Sequence, residues 1–154
     1  MVPVLLLALG IGFICGLRSM TAPAVVCWGA QLGWLQLDHS PLAFLHNKIS
    51  LIVFTLFAIG ELIADKLPSI PSRTQIGPLV VRIIFGAASG AALTITAGQP
   101  LATGLLAGAA GGVTGAFLGY TWRRLSAGSV PALLAALLED VIAVGGGFLI
   151  VSRF

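Results

Sequence analysis

Charge is what this sequence has least of. Only 8% of its 154 residues are Asp, Glu, Lys or Arg, while 58% are hydrophobic. Soluble domains carry about a quarter charged residues, and a soluble chain of this length would run out of polar side chains to cover its surface. The scarcity excludes an ordinary soluble domain. Further absences exclude chemistries. There is no CxxC: Cys15 and Cys27 lie singly in apolar stretches and read as small buried thiols. No strip of basic and aromatic residues offers itself to RNA or DNA, so nucleic acid is not an expected partner. No Walker loop, dinucleotide fingerprint, HExxH helix or nucleophile–base constellation occurs, so no enzyme chemistry is visible. Residues 4–16 imitate the apolar core of a signal peptide, with Ala22-Pro23-Ala24 as its cleavage site. The basic stretch that should precede it is missing, and more apolar segments follow, so a retained first membrane segment is expected.

What the chain does have is apolar runs. Six are visible, roughly 2–17, 22–37, 49–67, 79–97, 101–122 and 131–151. A full span needs about 20 residues, with a lower limit near 17. The last four reach that length; the first two fall just short. The polar turn Arg18-Ser19-Met20-Thr21-Ala22-Pro23 separates those two. Pro23 is expected to break a helix and to push residue 22 out of the α region. The fold class expected is an all-α polytopic membrane helix bundle forming one transmembrane domain, 1–154. Its first pair of segments is either two short spans or a re-entrant pair. Irregular backbone at membrane depth survives only where protein buries it or water reaches it.

The Pro68–Pro78 connection divides the chain into halves, 1–68 and 79–154, of three segments each. An odd number per half makes the second start on the opposite side, as in a 3+3 inverted repeat. Let side A be where the chain begins. Arg18, Lys66, Arg73, Arg82, Arg123 and Arg124 then fall near side B, against Lys48 and Arg153 near side A. That asymmetry makes side B cytoplasmic and leaves both termini outside. Tyr120 and Trp122 mark the B interface and Trp34 the A interface.

Glycines recur at small-xxx-small spacing: Gly104, Gly108 and Gly112, beside them Gly111, Gly115 and Gly119, and in the preceding segment Gly86 and Gly90. Such rows let helix backbones approach closely in lipid, within one chain or across a homodimer. Gly145-Gly146-Gly147 weakens the last helix.

The few acids matter most. Glu61 lies seven residues before Pro68 and Glu139 eight after Pro131. Both therefore sit about 10–12 Å in from side B, a third of the way into a hydrocarbon core of about 30 Å. A carboxylate there costs at least about 2.5–3.5 kcal/mol and stays only with a partner or water. Glu61 and Asp65 share a helix face at i, i+4, and Glu139 adjoins Asp140. Arg18, Lys66, Arg73, Arg82 and Arg123 are the cations assigned to the same side. A buried charged cluster open toward side B follows, with Arg18, Ser19, Thr21, Glu61, Asp65, Lys66, Arg73, Arg82, Glu139 and Asp140 as candidate ligand-binding residues. Glu61, Asp65, Glu139 and Asp140 are also the oxygen ligands a hard divalent cation would use; the neighbouring cations favour an anion or simple ion pairing instead. Asp38, His39 and His46 form no strong metal spacing and read as a solvated outer loop.

Three stretches carry a resemblance. Gly16-Leu17-Arg18-Ser19-Met20-Thr21-Ala22-Pro23-Ala24, Glu61-Leu62-Ile63-Ala64-Asp65-Lys66-Leu67-Pro68 and Pro71-Ser72-Arg73-Thr74 resemble the small bacterial membrane proteins of the domain-of-unknown-function family numbered 4126, and Glu139-Asp140 fits the same pattern. The resemblance covers essentially the whole chain. It implies a bacterial inner-membrane location and says nothing of substrate.

Three functions fit these readings. The first is a small transporter or channel-like carrier, its charged site between the two halves taking a cation, a proton or an anionic solute. The second binds, flips or modifies a lipid head group, with arginines on phosphate. The third is a membrane scaffold whose charges only lock helices together. Membrane lipids are partners in all three.

Overall fold

The computed structural model describes residues 3–64 and 75–154, which form helices and no strand. Six α-helices follow one another: α1 Val4–Leu17, α2 Thr21–Gln31, α3 Lys48–Ala64, α4 Ile76–Thr96, α5 Leu101–Ser126 and α6 Ala132–Val151. A short 3-10 helix, Ala43–His46, precedes α3. The chain is an all-α helical bundle. Helices α4, α5 and α6 are each long and apolar enough to cross a membrane, and α1 is a shorter apolar helix. These are the helices of an integral membrane protein.

α1 is the hub. It packs against α4, α5 and α6, and α4 packs along α5. Glycine makes this possible. A Cβ on Gly12 or Gly16 of α1 would overlap the backbone of Gly108 or of Gly112 and Gly115 on α5; one on Gly86 or Gly90 of α4 would overlap Gly108 and Gly104. Gly108 thus meets α1 on one side and α4 on the other. Backbones this close gain dispersion contacts and Cα–H···O contacts, the latter worth about 0.5–1 kcal/mol each. At these glycines the backbones leave no room for a side chain.

The second apolar run differs from expectation at both ends. Pro23 does not break a helix; it lies in the first turn of α2. There a residue's N–H has no intrahelical acceptor, so proline loses nothing, and Ala22 is helical with it. The run also ends early. Gly33 takes φ +81, and the N–H groups of Trp34 and Leu35 turn back to Gly29 O at 2.9 and 3.2 Å. A left-handed glycine closing a helix in this way is a common stop. Leu35 and Leu37 remain apolar because they are buried as loop, at 1% and 0% exposure. The continuous apolar run at 22–37 therefore divides into an 11-residue helix and a loop that buries Leu35 and Leu37.

α1 and α2 form a short hairpin inside the bundle. α1 descends to Arg18, and α2 turns back toward the end where α1 began. α6 runs beside both, antiparallel to α1: Gly146 faces Ile14, Gly147 faces Val25, and Gly10 faces Ile150. α3 lies outside α2, tied by Trp28 Nε1 donating to Thr55 Oγ1 at 3.1 Å, and has no buried residue of its own. Among the described residues α3 barely touches α4, and α5 meets α6 only lightly. Both gaps open clefts.

Candidate functional site

The site is the three-residue junction Arg18-Ser19-Met20 between α1 and α2. Two carboxylate-bearing helices, α3 and α6, grip it. Arg18 caps α1 in extended backbone, its N–H reaching Ile14 O at 2.8 Å. Its side chain is 1% exposed and runs to α6. Nε and Nη2 donate to Asp140 Oδ1 at 2.8 and 2.5 Å, and Nη2 to Ala136 O at 3.4 Å. Nη1 lies 3.6 Å from Glu139 Oε1. The second oxygen of Glu139 accepts from Arg123 Nε of α5 at 2.8 Å. Glu139, with 2% of its side chain exposed, is held between two guanidiniums.

The other grip comes from α3. Glu61 Oε1 accepts from Ser19 N at 2.8 Å and from Ser19 Oγ at 3.0 Å, while Oε2 accepts from Met20 N at 2.8 Å. These amides open α2, whose own N-cap supplies no side-chain bond. Glu61 therefore caps α2 from another helix, where the N–H groups and helix dipole favour negative charge. Arg82 of α4 stands behind it. Its Nη2 is 3.7 Å from Glu61 Oε1, while Nε donates to Gly16 O at 3.0 Å and Nη1 to Pro78 O at 3.2 Å. Gly16 O sits in the last turn of α1, where carbonyls lack helical donors; Arg82 supplies one. Cys15 Sγ adds weak contacts to Ser19 O and Arg82 O at 3.3 and 3.5 Å.

Of the ten candidate residues, Arg18, Ser19, Glu61, Arg82, Glu139 and Asp140 meet at this junction. Thr21 follows it, buried, with an Oγ1 that has no hydrogen-bond partner among the described residues. Asp65, Lys66 and Arg73 lie outside the described residues. Among the described residues no three His, Cys, Asp or Glu side chains converge as metal ligands would; Glu61 is on one side of the junction and Glu139 and Asp140 on the other. Sequence reasoning passed over the backbone amides of Ser19 and Met20 as the acceptor's partners. The signal for them was the short polar turn beside a deep acid. Asp38 and His46 do pair, Oδ1 to Nδ1 at 2.8 Å, in the exposed loop at the far end of the bundle.

Two clefts adjoin the junction. One, of about 390 Å³, lies between α3 and α4 and is lined by Ser19, Met20, Phe54, Phe57, Glu61, Val81 and Phe85. The other, of about 310 Å³, lies between α5 and α6 over α1, with Phe13, Leu17, Trp122, Glu139 and Ile142 among its walls. Each brings one carboxylate to an otherwise apolar groove.

Residues 5–152 match the family described as Domain of unknown function (DUF4126). No curated protein and no solved structure matches the chain. With nearly its whole length matched, the chain belongs to the DUF4126 family.

Proposed function

We propose, from that family membership and the geometry above, that this protein is a small membrane carrier, with the gripped Arg18–Met20 junction as its solute site. One observation carries the reading: helical backbone is interrupted between α1 and α2, and the charged side chains of Glu61, Arg82, Glu139 and Asp140 converge on the interruption. Interrupted helices with exposed amide ends are how many carriers place a binding site within the membrane, and ionisable groups at such depth mark pathways by default. Glu61 serves a cation or a proton in this reading, with Arg82 beside it, while Glu139 and Asp140 balance Arg18.

The halves 1–68 and 79–154 form an inverted pair within one transmembrane unit. Support comes from three helices in each half and from α1 and α4 running in opposite directions. The six-to-two asymmetry of basic residues puts the junction on the cytoplasmic side of a bacterial inner membrane, with both termini outside. Cysteine tags at each end should react with an impermeant reagent in intact cells; reaction only after lysis would reverse the orientation.

The test of function is flux. Proteoliposomes carrying a pH-sensitive dye should show proton movement driven by a gradient of an added cation, and Glu61→Gln should abolish it. Absence of flux from the parent protein across inorganic and organic ions of both signs would sink the carrier. A lipid-head-group protein is the second reading, supported by the apolar α5–α6 cleft beside Glu139. A stoichiometric phospholipid retained through purification and identified by mass spectrometry would favour it.

A further inference from the structure

We propose that the cleft between α3 and α4 binds a protonated organic amine bearing an apolar, ring-sized substituent. The inference rests on the carrier reading only in naming that carrier's substrate class; binding itself stands apart from transport.

Three features of the cleft select this chemistry. Its walls are aromatic: Phe54 and Phe85 meet edge to face with centroids 5.6 Å apart, and Phe57 stands on the same lining. The faces of such rings attract cations, most strongly where water is excluded. Its one ionisable lining residue, among the described residues, is the Glu61 carboxylate, 19% exposed. The carboxylate also has unused capacity. Oε1 accepts twice, from Ser19 N and Ser19 Oγ, and faces Arg82, whereas Oε2 accepts once, from Met20 N. An sp² oxygen has two acceptor positions, so Oε2 can take one further N–H. Arg82 does not line the cleft: its Nε and Nη1 donate to Gly16 O and Pro78 O, and its Nη2 faces Oε1, not Oε2.

Competing occupants fit less well. An inorganic cation needs several oxygens to replace its hydration shell, and beyond the Glu61 carboxylate and the Ser19 hydroxyl, which already donates to it, the lining side chains are apolar. A free anion would meet Glu61. A lipid chain would fill the apolar walls but leave the Oε2 position desolvated and unpaired. A volume of about 390 Å³ lies within the range of small-ligand pockets, about 300–1,000 Å³.

The experiment is equilibrium dialysis of the full chain in detergent against benzyldimethylamine, protonated at neutral pH, and against its uncharged carbon isostere. The amine should bind roughly tenfold or more tighter than the isostere, the size of one charge-assisted hydrogen bond. Glu61→Gln should erase that difference. Phe57 is 59% exposed, so its replacement spares the fold: Phe57→Leu should weaken amine binding about two- to tenfold, and Phe57→Trp should strengthen it. Equal affinity for amine and isostere, no binding by the parent, or indifference to both Phe57 variants would overturn the assignment. Amine binding without flux would leave this site standing and remove the carrier; flux of another solute without amine binding would do the reverse.

Discussion

The two grips on the Arg18–Met20 junction use the same chemistry in different surroundings. On the α6 side, Arg18 and Glu139 are 1% and 2% exposed, and Arg123 closes the group. On the α3 side, Glu61 is 19% exposed and looks into a cleft. A charge buried with its partner cannot take a new one without abandoning the first. A charge at the edge of a cleft can. The first arrangement suits a lock that holds the α1–α2 hairpin to α6, and the second suits a site. Burial is what separates the two arrangements.

The sharpest way to break the comparison is to unlock the buried side. Arg18→Gln leaves Asp140 and Glu139 short of their shared cation in the interior. Removing one partner of a buried ion pair costs about 3–5 kcal/mol, so the variant should lose most of its folded, monodisperse fraction in detergent. A melting temperature within a few degrees of the parent would show that the α6 side is not a lock. Glu139→Gln should be damaging for the same reason, since it removes the group held between Arg18 and Arg123.

Next in size is the glycine seam on which α1, α4 and α5 meet. Gly108 touches α1 and α4 at once. Gly108→Leu drives a side chain into both backbones, and overpacking of this kind costs about 1–3 kcal/mol. Thermal unfolding would report it. The same substitution at Gly60, where a Cβ meets nothing, should change little, so a comparable loss at both positions would show that the seam has no special role.

Glu61→Gln should cost less in stability, about 1 kcal/mol. One carboxylate oxygen is replaced by an amide nitrogen, and one of its N–H partners loses its acceptor; partial exposure lets water compensate. Flux should nevertheless be lost. A variant that melts far below the parent and a parent that never transports would together assign Glu61 to the lock as well.

Part of this was legible in the sequence. Apolar runs located α1, α3, α4, α5 and α6 because a membrane helix must satisfy its backbone internally and cover itself with apolar side chains. Depth from flanking prolines singled out Glu61 and Glu139, because charge in lipid is costly wherever the helix goes. The stop at Gly33 was hidden in an apolar run whose loop residues, Leu35 and Leu37, are as buried as helix residues would be. The role of Pro23 turned on a shift of two or three positions, the difference between a helix's interior and its first turn. The division of the acids between two sides of the junction depends on which helices are neighbours, and one-dimensional spacing does not encode that. Nor does the Glu61 cap on α2, which joins residues 41 and 42 positions apart.

The smallest effect belongs to the third acid–base pair, and it calibrates the other two. Asp38 and His46 make a contact of 2.8 Å, as short as the Arg123–Glu139 bond, with side chains 59% and 36% exposed. Water already solvates both groups, salt screens their attraction, and pairing costs side-chain freedom. Exposed pairs are accordingly worth about 0–1 kcal/mol. Asp38→Asn should shift stability by less than about 0.5 kcal/mol, and added salt should mask what remains. If distance governed these interactions, Asp38→Asn and Glu139→Gln would weaken the protein alike. If burial governs them, only the second does, and thermal melts of the two variants in low and high salt decide between the two.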